Sequence, residues 1–187
     1  QEGTPAEAVK ALARAIALRP EHTGARLAYA DALTRSGDTQ EARRHYEATL
    51  AREPENADAR LGLVRLDLEV GAWATAEKHL RHLLAHGTER TELRALLAEA
   101  LLGQNRLEAA AHELETYLAA RPQDAARHEQ AARICRELGR NEAALGHYDR
   151  AIALGRGSSE LQAARARTLA ALERWEEASA LLEQLAA

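Results

Sequence analysis

The chain has 187 residues, 46% of them hydrophobic but only 3% aromatic, with 29% charged and a formal net charge of −4. That balance argues against a ring-rich β-sandwich core and disfavours nucleic acid, whose phosphates need a basic surface. No run of apolar residues is long enough to span a bilayer, and the single cysteine, Cys135, rules out a disulfide within the chain.

Thr4-Pro5-Ala6-Glu7 opens the first helix as a capping box with proline in the first turn, and that helix runs to about Leu18. Its apolar residues Val9, Leu12 and Ile16 need a partner. A first amphipathic run then covers Arg26–Arg35, breaks at Ser36-Gly37-Asp38, and gives way to a second run, Glu41–Arg52, that stops at Pro54. Steps of 34 residues bring the same residue types back. Ala30 becomes Val64, Ala98, Ala132 and Ala166. Gly37 becomes Gly71, Asn105, Gly139 and Glu173. Ala42 becomes Ala76, Ala110, Ala144 and Ala178, with Ala8 upstream. Tyr46 becomes Leu80, Leu114, Tyr148 and Leu182. The spacing predicts first helices at 23–36, 57–70, 91–104, 125–138 and 159–172. Second helices are expected at 39–52, 73–86, 107–120, 141–154 and 175–186. Thr88 and Arg156 replace the terminating proline in two units. The last helix carries leucines with no repeat after them, and the chain reads as a segment of a longer protein.

An alanine at a helix crossing lets two backbones approach closely, and a large apolar residue four positions on fills the neighbouring gap. Glycine after a helix supplies a left-handed cap, and proline ends the next helix. Each unit is a helix–turn–helix pair that buries its apolar face only by stacking.

These residues resemble the tetratricopeptide repeat family, whose pattern is W-x2-L-G-x2-Y, then A-x3-F, then P. The A-x3-F pairs are Ala42/Tyr46, Ala76/Leu80, Ala110/Leu114, Ala144/Tyr148 and Ala178/Leu182. The tryptophan column holds Arg26, Arg60, Arg94, His128 and Gln162, and the leucine column holds Tyr29, Leu63, Leu97, Ala131 and Arg165. The resemblance implies one all-α, right-handed superhelical solenoid over 1–187. It would comprise a leading second helix (4–20) and repeats at 21–54, 55–88, 89–122, 123–156 and 157–187.

Catalytic signatures are missing: there is no G-x-S-x-G, no H-E-x-x-H and no phosphate loop. No catalytic residue, cofactor or metal site is assigned. His79, His82 and His86 share a helix at metal-ligand spacing, but the phasing turns them outward and no carboxylate cluster completes a shell. His45, His79 and His147 form an outward column of exposed residues. Cys135 falls on a buried face as a packed thiol.

The resemblance further implies that first helices line a concave groove in which ligands lie. Carried over by register, that face holds Leu27, Asp31 and Thr34, then Leu61, Arg65, Leu68 and Glu69, then Glu92, Leu96, Glu99 and Leu102. Glu129, Gln130, Arg133, Arg136 and Glu137 follow, and then Glu160, Ala163 and Arg167. The lysine and asparagine clamp of chaperone-binding members is missing from this set. Leucines at one end and Arg133, Arg136 and Arg167 at the other call for a partner segment that is apolar and acidic. The expected function is a non-catalytic protein-binding scaffold, with a bacterial envelope or export assembly as a narrower expectation. Alternatives are an accessory domain of a larger enzyme such as a glycosyltransferase, or a spacer that self-associates through its terminal helices. Nucleic acid and direct membrane insertion are not expected.

Overall fold

The computed structural model describes residues 5–87 and 91–186. Thr4, the expected cap, and Thr88, the replaced proline, lie outside them. The described residues form eleven helices and no strand. They are α1 (Pro5–Leu18), α2 (Thr23–Ser36), α3 (Thr39–Arg52), α4 (Ala57–Glu69), α5 (Trp73–Ala85), α6 (Thr91–Gly103), α7 (Leu107–Ala120), α8 (Ala125–Glu137), α9 (Asn141–Ala153), α10 (Ser159–Ala171) and α11 (Trp175–Ala186). From α2 to α11 every described helix end falls within one residue of the end read from the register, and α1 ends at Leu18. The chain divides into two compact units, Gln1–Glu89 with α1–α5 and Arg90–Ala187 with α6–α11. Within each unit every helix packs on the next, and in the first unit α2 also touches α4.

The small-residue columns are the crossings. Ala42, Ala76, Ala110 and Ala144 have no exposed surface, and neither do Ala30, Val64, Ala98 and Ala132. Ala8, in the leading helix, is exposed. Tyr46, Leu80, Leu114 and Tyr148 fill the gaps beside them. Gly62 permits one crossing that no other residue would: a Cβ there would sit 2.4 Å from Cε1 of Tyr46. The leading helix finds its partner in α2, with Val9 packed on the cluster of Ala30, Leu33, Ala42 and Tyr46.

The turn inside each repeat is a Schellman motif. The N–H groups of Asp38, Ala72, Arg106, Arg140 and Arg174 donate to the carbonyls of Leu33, Asp67, Leu101, Cys135 and Leu169 at 2.7–3.0 Å. The residue before each donor sits in left-handed backbone: Gly37, Gly71, Asn105, Gly139 and Glu173 all have positive φ. Side-chain caps start α2, α3, α4, α8 and α10, from His22, Asp38, Asn56, Asp124 and Ser158.

The polar tryptophan column has its own physics. Arg26 and Arg60 donate to the carbonyls of Pro20 and Pro54, six residues back, and His128 Nε2 lies 3.2 Å from the carbonyl of Pro122. Gln162 donates to Gly157 O at 3.1 Å. Each ties its helix to the turn before it through a side-chain donor aimed at a backbone carbonyl. Arg165, in the leucine column, turns to Asp149 on α9 at 2.5 Å.

Two outcomes check this packing. Ala110→Leu should cost about 1–3 kcal/mol through overpacking, read from denaturant melts, while Ala8→Leu should cost almost nothing. Glu173→Gly should stabilise by about 0.5–1 kcal/mol, because glycine relieves a left-handed residue that carries a Cβ. A fall in melting temperature for Glu173→Gly would contradict the strain.

Candidate functional site

The first helices of each unit carry the expected groove residues. In the first unit Leu27, Leu61, Leu68 and Thr34 are partly buried, and Asp31, Arg65 and Glu69 are exposed. Leu27 packs on the core cluster beneath it. Asp31 is occupied: the Tyr46 hydroxyl donates to its Oδ1 at 2.6 Å. Burial first, and then that bond, push the Tyr46 hydroxyl up to about 12, while the Arg65 charge opposes the rise. Asp31, Tyr46 and Arg65 thus form one cluster.

In the second unit a cleft of about 440 Å³ is lined by Glu99, Glu129, Gln130 and Arg133 from the expected set, joined by Ala126, Arg127 and Arg156. Glu129 anchors it, accepting from Arg133 at 2.5 Å and from Arg156 at 2.7 Å. Arg156, at the missing proline, therefore spans a repeat to hold Glu129. Leu96, Leu102 and Ala163 are partly buried, while Glu137 and Glu160 are exposed. Glu92 pairs with Arg121 on the turn after α7 at 2.6 Å. Arg136 makes no hydrogen bond or ion pair among the described residues, and Arg167 donates only to Ala163 O at 3.2 Å.

The residue the register passed over is Tyr148. It stands where Tyr46 stands three repeats earlier, and it is fully buried. The position of Asp31 is taken by Arg133, and that of Arg65 by Arg167. The Tyr148 hydroxyl consequently has no hydrogen-bond partner among the described residues. Burial raises its pKa, opposed by the charges of Arg136, Arg133 and Arg167. The three groove arginines therefore act on one buried hydroxyl. Laying Asp31 beside Arg133 in the register would have exposed the mismatch.

The histidines depart from their expected exposure. The side chains of His45 and His79 are only 21% and 17% exposed. His79 lies 3.9 Å from Asp67, a carboxylate buried where the other repeats carry Leu33, Leu101, Cys135 and Leu169. Arg43 neutralises Asp67 at 2.7 Å. His147 pairs with the buried His128, Nδ1 to Nδ1 at 3.0 Å. The reason is that this column turns toward the first helix of its own repeat: His45 meets Tyr29, His79 meets Asp67 and His147 meets His128. The expected histidine trio also separates: His82 and His86 face Glu55, and His79 does not. Glu55 Oε1 is 3.6 Å from His82 Nε2, and Glu55 Oε2 is 3.9 Å from His86 Nε2. A carboxylate does complete the shell, against expectation. Cys135 is buried as expected, and burial pushes its thiol up. No described helix is long and apolar enough to cross a membrane.

This repeated helix pair, stacked on the next within each unit, defines a helical-repeat protein. Tetratricopeptide repeat profiles match residues 1–44, 33–89, 67–134 and 128–160. The chain belongs to the tetratricopeptide repeat family. No curated protein sequence matches it. Among solved structures, YrrB, described as a tetratricopeptide protein with an unusual peptide-binding site, is similar with a TM-score of 0.84 at 19% identity, over 95% of this chain and 92% of that one. MamA is similar with a TM-score of 0.80 at 19% identity, over 89% and 91%. MamA from Desulfovibrio magneticus RS-1, residue 41 to the end, gives 0.77 at 19% identity, over 84% and 89%. At these identities the likeness is one of fold.

Burial is the largest cause holding His45, His79 and His147 below 6.5. The folded chain therefore resists their protonation more than the unfolded chain does. Their contribution is complete above pH 6.5 and is lost as pH falls through the window beneath it. Melting temperature should drop from neutral to mildly acidic buffer, and the drop should shrink in His79→Gln/His147→Gln. An equal drop in that variant would contradict the assignment.

Proposed function

We propose that the chain is a non-catalytic scaffold that holds a partner segment along its first helices, with an acidic group of the partner at Arg133, Arg136 and Arg167. The observation that carries this is the Tyr148 hydroxyl. Its counterpart Tyr46 donates to Asp31, whereas Tyr148 has no acceptor and sits in the field of three arginines. A partner carboxylate would do there what Asp31 does in the first unit. Arginine's planar fork suits that group. Arg136 is uncommitted, and Arg133 would exchange Glu129 for the incoming carboxylate, with Arg156 still holding Glu129.

Each unit, taken by itself, offers further contacts on its first helices. Leu27, Leu61 and Leu68 in the first unit offer apolar surface, and Asp31 and Arg65 offer polar contacts beside it. Glu99 and Leu102 flank the arginines in the second unit. The peptide-binding site described for YrrB lends support to this use of the fold. The envelope or export setting has no support in the geometry.

The test starts from a random peptide library selected on the purified chain. Selected peptides should combine Asp or Glu with apolar residues. Arg133→Glu/Arg167→Glu should weaken their binding by roughly 2 kcal/mol or more in titration calorimetry. Stability should change by less than about 1 kcal/mol, because the exposed pairs it removes contribute little. Unchanged affinity would remove the binding site from the first helices of the second unit.

A further inference from the structure

We propose that Glu55, His82 and His86 form a binding site for a divalent transition metal of the zinc class, clamping the α3–α4 turn to the end of α5. The three side chains come from two places. Glu55 lies in the turn between α3 and α4, while His82 and His86 stand one helical turn apart at the end of α5. One ligand atom from each lies within 4.8 Å of the others.

The hydrogen bonding around His86 prepares it as a ligand. Its Nδ1 lies 2.8 Å from the carbonyl of His82, and a carbonyl only accepts, so Nδ1 carries the proton. In the neutral ring the lone pair is therefore on Nε2, the atom that faces Glu55. Metal-binding histidines are oriented in this way, through the second ring nitrogen held by a carbonyl. The backbone N–H of His86 donates to the same carbonyl at 3.2 Å, which fixes the end of the helix as well as the ring. The two imidazoles stack with centroids 4.1 Å apart and planes 15° apart, so both present the same edge to the carboxylate.

The dimensions suit a small cation. Ligand atoms on a tetrahedral zinc are about 3.3 Å apart, given metal–ligand bonds near 2.0–2.1 Å. The histidines lie 3.6 and 3.9 Å from the two oxygens of Glu55, and side-chain rotation of the exposed groups would bring one oxygen and both nitrogens from within 4.8 Å to that spacing. Two imidazoles and one carboxylate match zinc's ligand preferences and leave a fourth position for water. All three side chains are open to solvent, with 63% of Glu55, 54% of His86 and 29% of His82 exposed, so an ion reaches the site without unfolding it.

Protons compete for the same lone pairs. The charged groups acting on His82 are Arg60, Glu55 and His86. Partial burial and then the Arg60 charge disfavour protonated His82, while Glu55 favours it, and the net direction is downward. Metal binding should be strongest at neutral pH and should fade in acid as the histidines take up protons. Arg60, held at the carbonyl of Pro54 next to Glu55, acts against a metal cation, and the Glu55 carboxylate offsets its charge.

The test is titration calorimetry of the untagged chain with zinc chloride at neutral pH, together with thermal melting. The expected result is one ion per chain, with a higher melting temperature in zinc, because the ion binds only the folded site. Glu55→Gln, His82→Gln and His86→Gln should each weaken binding by about tenfold or more and lose the thermal shift. His79→Gln, which leaves the trio intact, should bind as the parent does. The three residues are surface groups, so melting without metal should show each variant folded. Absence of binding by the parent would overturn the proposal. So would equal affinity in Glu55→Gln and His86→Gln, or an equal loss in His79→Gln.

Discussion

The close approach of helices at the alanine columns is the constraint on which the rest depends. Ala42, Ala76, Ala110 and Ala144 have no exposed surface, and each meets a neighbour that is equally buried. A larger side chain there would push the helices apart and open gaps beside Tyr46, Leu80, Leu114 and Tyr148. The left-handed turns follow from that constraint. The chain must reverse within a few residues to bring the second helix against the first, and the repeated Schellman bonds close the reversal. In the first unit the same stacking brings the first helices α2 and α4 into contact.

The helices were legible because the repeat makes the same statement several times. A single Gly37 is weak evidence for a cap, but five positions in register, all with positive φ, are not. Even Glu173 takes the conformation, so the register overrides the residue's own preference. The groove was legible only as a set of positions. Which of them are engaged depends on side chains from other helices, and a period cannot report that. Asp31 is taken by Tyr46, and Arg133 by Glu129. The polar tryptophan column was opaque for the same reason: Arg26, Arg60, His128 and Gln162 meet backbone carbonyls of the preceding turn, and Arg94 meets Glu113 on α7. The histidines were read as exposed because helical phasing sees one helix at a time. Glu55 joins His82 and His86 only through packing of the turn on α5.

The two units use one scaffold with different chemistry. At equivalent positions the first unit has Tyr46 with Asp31, and the second has Tyr148 with Arg133, while the alanine crossings beneath are unchanged. The Ala42, Ala76, Ala110 and Ala144 crossings keep their residue from repeat to repeat, whereas the first-helix position of Asp31 reverses its charge at Arg133. Asp67 is the departure in the core itself. It puts a charge where other repeats put Leu33, Leu101 and Leu169, and it is tolerated because Arg43 reaches it.

The central claim is that first helices, rather than second helices, hold the partner. Amide hydrogen exchange, followed by mass spectrometry with and without a saturating selected peptide, tests it most directly. The account predicts added protection on α8 and α10 around Arg133, Arg136 and Arg167, with α7, α9 and α11 unchanged. Protection confined to α7, α9 and α11 would contradict it.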